Sequence, residues 1–298
     1  MDLGPADKGP GVGSGPRRQS TAAVVACLVL VVLLVSCSSP VGSPAPRAEP
    51  EFETYAALGD SFTAAPYVPT TSLASGCFRS TGNYPSLLAE RLDARLRDAS
   101  CSAATTHDVS RRQVFGLGDL RASVPPQLRV VRRGTDLVTV GIGGNDEQLF
   151  GSLVRDRSGV ELGDAAAVAQ RTGGRVGRVL RAVRSAAPSA TVVLVGYPRL
   201  VDPARGCRKM PIGGADRPVL ARVERALNKA LARTAERADV LFLDMHPLSR
   251  GHEICSDDPW VNGQATDDRR AAAYHPFPEG QQAVADALLA LLSADAAR

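Results

Sequence analysis

The 298-residue sequence is poor in aromatic residues and in lysine, and these shortages argue against one large class of function. Aromatic residues make up 4% of the chain, and there are three lysines and one tryptophan. The arginines are scattered, without a run that alternates with aromatic side chains. Nucleic-acid-binding proteins instead concentrate their basic residues on one face or along one stripe. The sequence therefore gives no indication of a nucleic-acid partner.

The chain also lacks a strong excess of either charge. It has 35 Lys plus Arg against 31 Asp plus Glu, a net charge of +4, with 44% hydrophobic and 22% charged residues. These values are close to average globular usage, so most of the chain can bury a core. No internal repeat is visible. We therefore predict a single folded domain behind a separate N-terminal segment.

No hydrophobic run is long enough to span a bilayer comfortably, but a shorter one lies near the N-terminus. Ala22–Val35 is an apolar run of 14 residues, the length of a signal-peptide core. It ends in Leu34-Val35-Ser36-Cys37, which resembles a bacterial lipobox, in which Cys37 is acylated and becomes the first residue of the mature chain. We therefore predict a lipoprotein signal peptide over residues 1–36 and an exported protein anchored through Cys37. An ordinary secretory signal or an uncleaved N-terminal anchor would also export it.

The segment after Cys37 has the composition of a linker. Residues 37–51 are rich in Ser, Pro and Ala and show no hydrophobic periodicity. Such segments are flexible, so we predict a tether between the membrane and a domain of residues 52–298.

Cysteine usage fits an oxidising compartment. Four cysteines follow Cys37, and none of their spacings is Cys-x-x-Cys, which argues against zinc-binding and thioredoxin-like motifs. An even number in an exported chain indicates two disulfides, with three possible pairings. Proximity in sequence favours Cys77 with Cys101 and Cys207 with Cys255. Two pairs of free buried cysteines would leave the same pattern.

Beyond the tether, short apolar runs alternate with amphipathic stretches. Strands are predicted at residues 55–59, 99–106, 136–141, 191–196 and 240–244. Helices are predicted at residues 84–97, 124–131, 161–186, 216–238 and 281–293. This alternation is typical of a parallel sheet covered by helices on both faces. We therefore predict an α/β fold, a three-layer sandwich with a central parallel sheet.

Chemically distinctive residues follow the predicted strands. In open α/β sheets, ligands bind at the carboxyl ends of the strands. Three blocks lie at such strand ends, Gly59-Asp60-Ser61, Cys101–Thr105 and Gly141–Asp146, and a fourth, His275-Pro276, lies on a loop just before the terminal helix. Any one of them is a weak signal, because Gly-Asp-Ser and Gly-Gly-Asn-Asp also form ordinary turns. The information lies in their order and in their shared edge of the sheet.

The ordered set resembles the SGNH (GDSL-like) hydrolase superfamily over nearly the whole mature chain. Within it the chain is most similar to secreted, disulfide-containing bacterial esterases and lipases. The segments Val195-Gly196-Tyr197-Pro198 and Cys255–Val261 add to the similarity. The resemblance implies a flavodoxin-like SGNH hydrolase fold and a serine esterase or lipase. Such an enzyme needs no metal or cofactor, and we expect a monomer that acts on a small-molecule or lipid ester.

The resemblance also implies residue roles. Ser61 matches the nucleophile and His275 the general base that activates it. The oxyanion hole would consist of the backbone N–H groups of Ser61 and Ala103 and the side-chain amide of Asn145. The chain departs from the family at Ala103, where glycine is usual. It also has Ala272 three residues before the histidine, where the family often has aspartate.

These departures define two open points. The methyl group of Ala103 crowds the oxyanion hole and disfavours a positive φ, so an alternative function is that of an inactive ligand-binding surface lipoprotein of the same fold. Without an acid at position 272, we expect a backbone carbonyl near Ala272 to orient His275, with Asp267 and Asp268 as alternatives. The only tryptophan, Trp260, could line the acyl pocket or fill the core.

Overall fold

The computed structural model describes residues 51–117, 120–149 and 162–298. The predicted signal peptide (residues 1–36), Cys37 and the predicted tether up to residue 50 lie outside the described residues. Within the described ranges, no helix is both long enough and apolar enough to cross a membrane.

A parallel five-stranded sheet forms the centre of the fold. In chain order, the strands of the described residues are β1 (Thr54–Gly59), β2 (Thr71–Ser72), β3 (Arg79–Ser80), β4 (Arg95–Asp98), β5 (Gln113–Leu117), β6 (Leu120–Val124), β7 (Leu137–Gly141), β8 (Thr191–Val195) and β9 (Leu241–Leu243). Five of these strands form the central sheet, and β2-β3 and β5-β6 form two small antiparallel pairs. The sheet has the order β4-β1-β7-β8-β9, with every pair parallel. Counted along the chain this is 2-1-3-4-5, the flavodoxin-like order, in which ligands bind at the switch point between β1 and β7.

Helices cover both faces of this sheet. They are α1 (Ser61–Ala64), α2 (Tyr84–Arg91), α3 (Thr106–Ser110), α4 (Leu162–Ala186), α5 (Arg217–Ala238), α6 (Met245–Leu248) and α7 (Pro278–Ala296). Side chains alternate along β1: Ala56 and Leu58 pack into the core formed with α4 and α5, whereas Tyr55 and Ala57 face the core formed with α2 and α7. The predicted three-layer α/β sandwich is therefore confirmed.

Helical periodicity explains the larger core. Val176, Leu180 and Val183 recur at helical spacing on α4 and are fully buried against the sheet and α5. Burying such a side chain contributes about 1.5–3 kcal/mol. The predicted helix boundaries at both α4 and α5 agree with the structure to within one residue.

The prediction was wrong at the second strand of the sheet. The sequence predicts a helix over residues 84–97 and a strand over 99–106, but α2 ends at Arg91 and β4 occupies Arg95–Asp98. Asp93 has a φ of +49°, which turns the chain out of the helix. β4 is an edge strand, whose burial alternates between exposed and half-buried, so it lacks the apolar run of a central strand.

The segment between α3 and β7 also differs from the prediction. The helix predicted over residues 124–131 is only a 3-10 turn at Gln127–Val130, and an antiparallel hairpin of β5 and β6 precedes it. Gln127 is buried there, and its amide brackets the backbone of Gly59, with Oε1 accepting from the N–H (2.8 Å) and Nε2 donating to the C=O (2.9 Å). This turn therefore fixes the end of β1.

Candidate active site

Ser61 lies in a tight turn at the carboxyl end of β1. Gly59 permits this turn, because a Cβ at that position would lie 2.7 Å from the carbonyl oxygen of Gly141 on the neighbouring strand. Asp60 caps α1, and its carboxylate accepts a hydrogen bond from the Phe62 N–H (2.9 Å). Ser61 is thus the first residue of α1, and it lines a cavity at the switch point of the sheet.

His275 contacts the Ser61 hydroxyl directly. Its Nε2 lies 2.7 Å from Ser61 Oγ, and its Nδ1 lies 2.6 Å from the carbonyl oxygen of Ala273. A carbonyl oxygen can only accept, so Nδ1 carries the proton of the neutral ring and Nε2 is left to accept from the serine. Burial lowers the pKa of His275, and the bond to Ala273 partly opposes this shift. Burial therefore favours a neutral imidazole, and the bond to Ala273 selects the tautomer whose Nε2 lone pair is directed at the serine.

The expected carbonyl support for His275 is therefore present, one residue beyond Ala272. Asp267 and Asp268 lie on the exposed surface, and neither carboxylate contacts His275 in any hydrogen bond or ion pair of the described residues. The structure thus gives a Ser-His pair with a backbone carbonyl in the third position.

Asn262 holds the histidine loop, a role that the sequence analysis missed. Its backbone N–H donates to the His275 carbonyl (2.9 Å), and its side-chain amide donates to the carbonyls of Ala265 (2.8 Å) and Ala271 (2.9 Å). Asn262 is 9% exposed, so these bonds are shielded from water. Its position directly after Val261, the end of the Cys255–Val261 segment, was the available signal.

Three candidate oxyanion donors line the same cavity: the backbones of Ser61 and Ala103 and the side chain of Asn145. Within the described residues, neither the Ser61 N–H nor the Ala103 N–H donates a hydrogen bond to the protein. Asn145 Nδ2 uses one hydrogen on the Ala104 carbonyl (3.0 Å), which leaves its second hydrogen for a ligand. The arrangement can therefore receive an anionic oxygen beside the Ser61 hydroxyl.

Ala103 has the backbone conformation that its methyl group disfavours. Its φ is +62°, in the left-handed region where glycine is the usual residue. The alanine at this position, where glycine was expected, thus adopts a glycine-like backbone conformation.

Asp60 and Tyr197 join the turn at Ser61 to the turn after β7. The Tyr197 hydroxyl donates to the Asp60 carboxylate (2.5 Å) and accepts from the Gly144 N–H (2.7 Å). Burial raises the pKa of Asp60 to about 7, although the hydrogen bonds from Tyr197 and Phe62 oppose the shift. The Val195–Pro198 motif was noted in the sequence, but its spacing gave no role for the tyrosine.

The cavity has a volume of about 560 Å³ and mainly apolar walls. The side chains that form these walls are Phe62, Pro66, Tyr67, Phe78, Leu200 and Tyr274. Trp260 does not line it: the indole stacks on the His252 ring, with centroids 3.8 Å apart, and packs against the core. The open question about Trp260 is thus answered in favour of packing.

Two disulfides are present, in the pairing that sequence proximity favours. Cys77 is bonded to Cys101 (2.06 Å) and Cys207 to Cys255 (2.14 Å). Cys101 lies two residues before Ala103, so the first disulfide adjoins the candidate oxyanion hole. Elsewhere in the described ranges, no group of three or more His, Cys, Asp or Glu side chains is placed to hold a metal ion.

Comparison with known proteins agrees with this geometry. Residues 57–283 match the GDSL-like Lipase/Acylhydrolase family. Lipase 2 of Streptomyces coelicolor is 33% identical, with 94% of this chain and 98% of that protein covered. A lipase of Streptomyces rimosus is 29% identical, with 89% of this chain and 95% of that protein covered.

Solved structures give the same result. The extracellular lipase of Streptomyces rimosus superposes with a TM-score of 0.67 at 29% identity, covering 80% of this chain and 99% of that one. Phospholipase A1 of Streptomyces albidoflavus NA297 superposes with a TM-score of 0.64 at 27% identity, with the same coverage. The family predicted from the four blocks is confirmed. The chain is an ester hydrolase, a lipase or esterase, that belongs to the GDSL-like lipase/acylhydrolase family.

Proposed function

We propose that this protein hydrolyses carboxylic esters through an acyl-enzyme on Ser61, with His275 as the general base. The observation that carries the proposal is the 2.7 Å contact between Ser61 Oγ and His275 Nε2 at the wall of an apolar cavity. The bond from Nδ1 to the Ala273 carbonyl supports it, because it selects the tautomer in which Nε2 can take the proton.

In the first half-reaction, the Ser61 oxygen attacks the ester carbonyl while its proton passes to His275 Nε2. The carbonyl oxygen becomes an oxyanion held by the N–H groups of Ser61 and Ala103 and by the Asn145 amide. When the intermediate collapses, the bond to the leaving oxygen breaks and His275 returns the proton to the departing alcohol. Water then attacks the acyl-enzyme carbonyl and gives a proton to His275 Nε2; when this second intermediate collapses, the bond to Ser61 Oγ breaks, His275 returns the proton to the serine, and the acid is released.

The cavity supports an ester with an aliphatic acyl group as the substrate. Its walls are built from rings and aliphatic side chains, and among the described residues that line it there is no arginine or lysine. A chain of CH₂ groups gains about 0.8 kcal/mol per group buried in such surroundings.

Export is part of the proposal. Two disulfides support an oxidising compartment, and one similar structure is that of an extracellular lipase. We propose that residues 1–36 are removed as a signal peptide and that Cys37 carries the lipid anchor.

The direct test is hydrolysis of p-nitrophenyl esters combined with labelling by a fluorophosphonate probe. Ser61→Ala should abolish both signals, and Asn145→Ala should lower kcat by roughly a hundredfold, because it removes one oxyanion donor. Ser72→Ala, which changes an exposed serine on β2, is the matched control and should behave like the wild type.

The same experiment also tests the alternative function, that of an inactive ligand-binding protein. A folded wild type that neither turns over the ester nor reacts with the probe would establish that alternative. Labelling that persists in Ser61→Ala would show that the nucleophile is another residue.

A further inference from the structure

One disulfide lies between two cavity residues that have uncommon backbone conformations. Phe78, with a φ of +53°, follows Cys77, and Ala103, with a φ of +62°, comes two residues after Cys101. Both Phe78 and Ala103 line the cavity, and both cysteines are buried. The disulfide therefore joins two strained parts of the same wall.

The turn at Ala103 needs a restraint from outside itself. The Ala104 N–H donates to the Cys101 carbonyl (3.1 Å), so Ala103 is the third residue of a tight turn, where a positive φ usually calls for glycine. An alanine in this region is disfavoured by about 5- to 30-fold, the equivalent of 1–2 kcal/mol. Ala103 makes no hydrogen bond within the described residues that could offset this.

Two backbone hydrogen bonds hold the residues directly before Ala103. The Ser102 N–H donates to the Cys77 carbonyl (2.9 Å), and the Cys101 N–H donates to the Gly59 carbonyl at the end of β1 (3.0 Å). Both hydrogen bonds are non-covalent, whereas the S–S bond covalently links two segments 24 residues apart. The disulfide thus fixes Cys101, which is the first residue of the turn that contains Ala103.

We propose that the Cys77–Cys101 disulfide is a positioning element for catalysis, which holds Ala103 left-handed and so keeps its N–H directed at the ester oxyanion. This inference rests on the proposed function, because it uses the oxyanion role of Ala103. Glycine adopts a positive φ without strain, so the dependence on the disulfide follows from the alanine that this chain has at position 103.

The test is a double-mutant cycle between the disulfide and Ala103. Cys77→Ala with Cys101→Ala should lower kcat by about 5- to 30-fold, because the turn relaxes to the favoured backbone region. Adding Ala103→Gly should restore kcat to within about threefold of the wild type, since the turn no longer needs the restraint. Any rise in KM from a displaced Phe78 should remain, because the glycine does not act on that part of the wall.

The second disulfide provides the control. Removing Cys207 and Cys255 by the same pair of substitutions should change kcat by the same factor with and without Ala103→Gly. Activity is measured below the unfolding temperature of each variant, as established by circular dichroism. An equal loss of kcat in the Ala103 and A103G backgrounds on removal of Cys77–Cys101, or no loss in either, would overturn the inference.

Selective reduction gives a second route where the doubly substituted protein does not fold. Wild type and A103G are treated with dithiothreitol, and the opened disulfides are mapped by alkylation and mass spectrometry. Fluorophosphonate labelling of Ser61 should slow in proportion to cleavage of Cys77–Cys101 in the wild type but not in A103G. Equal slowing in both proteins contradicts the inference. The proposed function fails separately, if Ser61→Ala keeps its activity.

Discussion

At the residue scale, a backbone carbonyl takes the position that a carboxylate occupies in a catalytic triad. The Ala273 oxygen accepts from His275 Nδ1 and fixes the tautomer. It brings no full negative charge, so it does little to stabilise the protonated ring. Burial also disfavours the protonated form, and the pKa of His275 falls below its ordinary value.

The first prediction concerns this pKa. A lowered pKa means that His275 stays neutral, and able to accept the serine proton, at pH values below 6.5, where an ordinary histidine would be charged. The Cε1–H resonance of His275 in NMR titrations, assigned by its loss in His275→Gln, should therefore have its midpoint below pH 6.5. The acid limb of kcat/KM should follow the same ionisation.

Carboxylate variants provide the control for that prediction. Loss of the carboxylate in a triad costs about ten-thousandfold in kcat. Asp267→Asn and Asp268→Asn should instead stay within about tenfold of the wild type and leave the His275 midpoint unmoved, whereas His275→Ala should abolish activity. A thousandfold loss in either aspartate variant, in a folded protein, would make that residue the third member of a triad.

The types of residue in the candidate site were largely predictable from the sequence, whereas the backbone conformations were not. Ser61 and Asn145 were identifiable because each stands in a short block at a strand end, and His275 because its block lies on the loop just before the terminal helix. The left-handed backbone of Ala103 was not, because an alanine at that position favours the ordinary region. Only the three-dimensional neighbourhood, with its disulfide, makes the unfavourable conformation the stable one.

At the element scale, the central strands were predictable and the edge of the sheet was not. β7 and β8 are buried on both faces and are mainly apolar, a pattern that is recognisable in a single sequence. β4 has the sequence Arg-Leu-Arg-Asp, and Leu96 falls at helical spacing from Leu92. Its pairing with β1 is a tertiary interaction that local periodicity does not contain.

The second prediction concerns the loops at the ends of two adjacent strands. Tyr197 joins them, because its hydroxyl donates to Asp60 and accepts from the Gly144 N–H. Tyr197→Phe should release the turn that carries Asn145 and lower kcat by about tenfold, with little change in KM. Steady-state kinetics on a p-nitrophenyl ester measures both constants.

Tyr55→Phe is the matched control for that substitution. Tyr55 is another buried tyrosine of the same sheet, and its hydroxyl is hydrogen-bonded to Thr139 (2.7 Å) near the middle of β7. Each substitution removes one buried hydroxyl and should lower the free energy of unfolding by about 1–3 kcal/mol. An equal fall of kcat in both variants would reduce the role of Tyr197 to stability.

At the scale of the whole molecule, the site depends on segments that are far apart in sequence. Ser61 and His275 are 214 residues apart in sequence. The Tyr84 N–H donates a hydrogen bond to Oε1 of Gln281 (2.7 Å), on the terminal helix. Gln281 Nε2 also donates to the Phe62 carbonyl (2.9 Å), so the terminal helix α7 supports the turn that carries Ser61. A site built from both ends of the domain requires the whole domain to fold, and the two disulfides restrain the loops between those ends.

The last prediction places this domain in the cell. The apolar run that ends at residue 35 is followed by Ser36-Cys37, so we expect acylation of Cys37 and recovery of the wild type in the membrane fraction. Cys37→Ser should shift the protein out of the detergent phase on Triton X-114 partitioning, without changing kcat, because every proposed catalytic group lies between residues 61 and 275. Cys27→Ser, within the apolar run, is the matched control and should partition like the wild type. If Cys37→Ser also partitions like the wild type, the N-terminal segment is an uncleaved anchor or another form of attachment, and the lipobox interpretation is wrong.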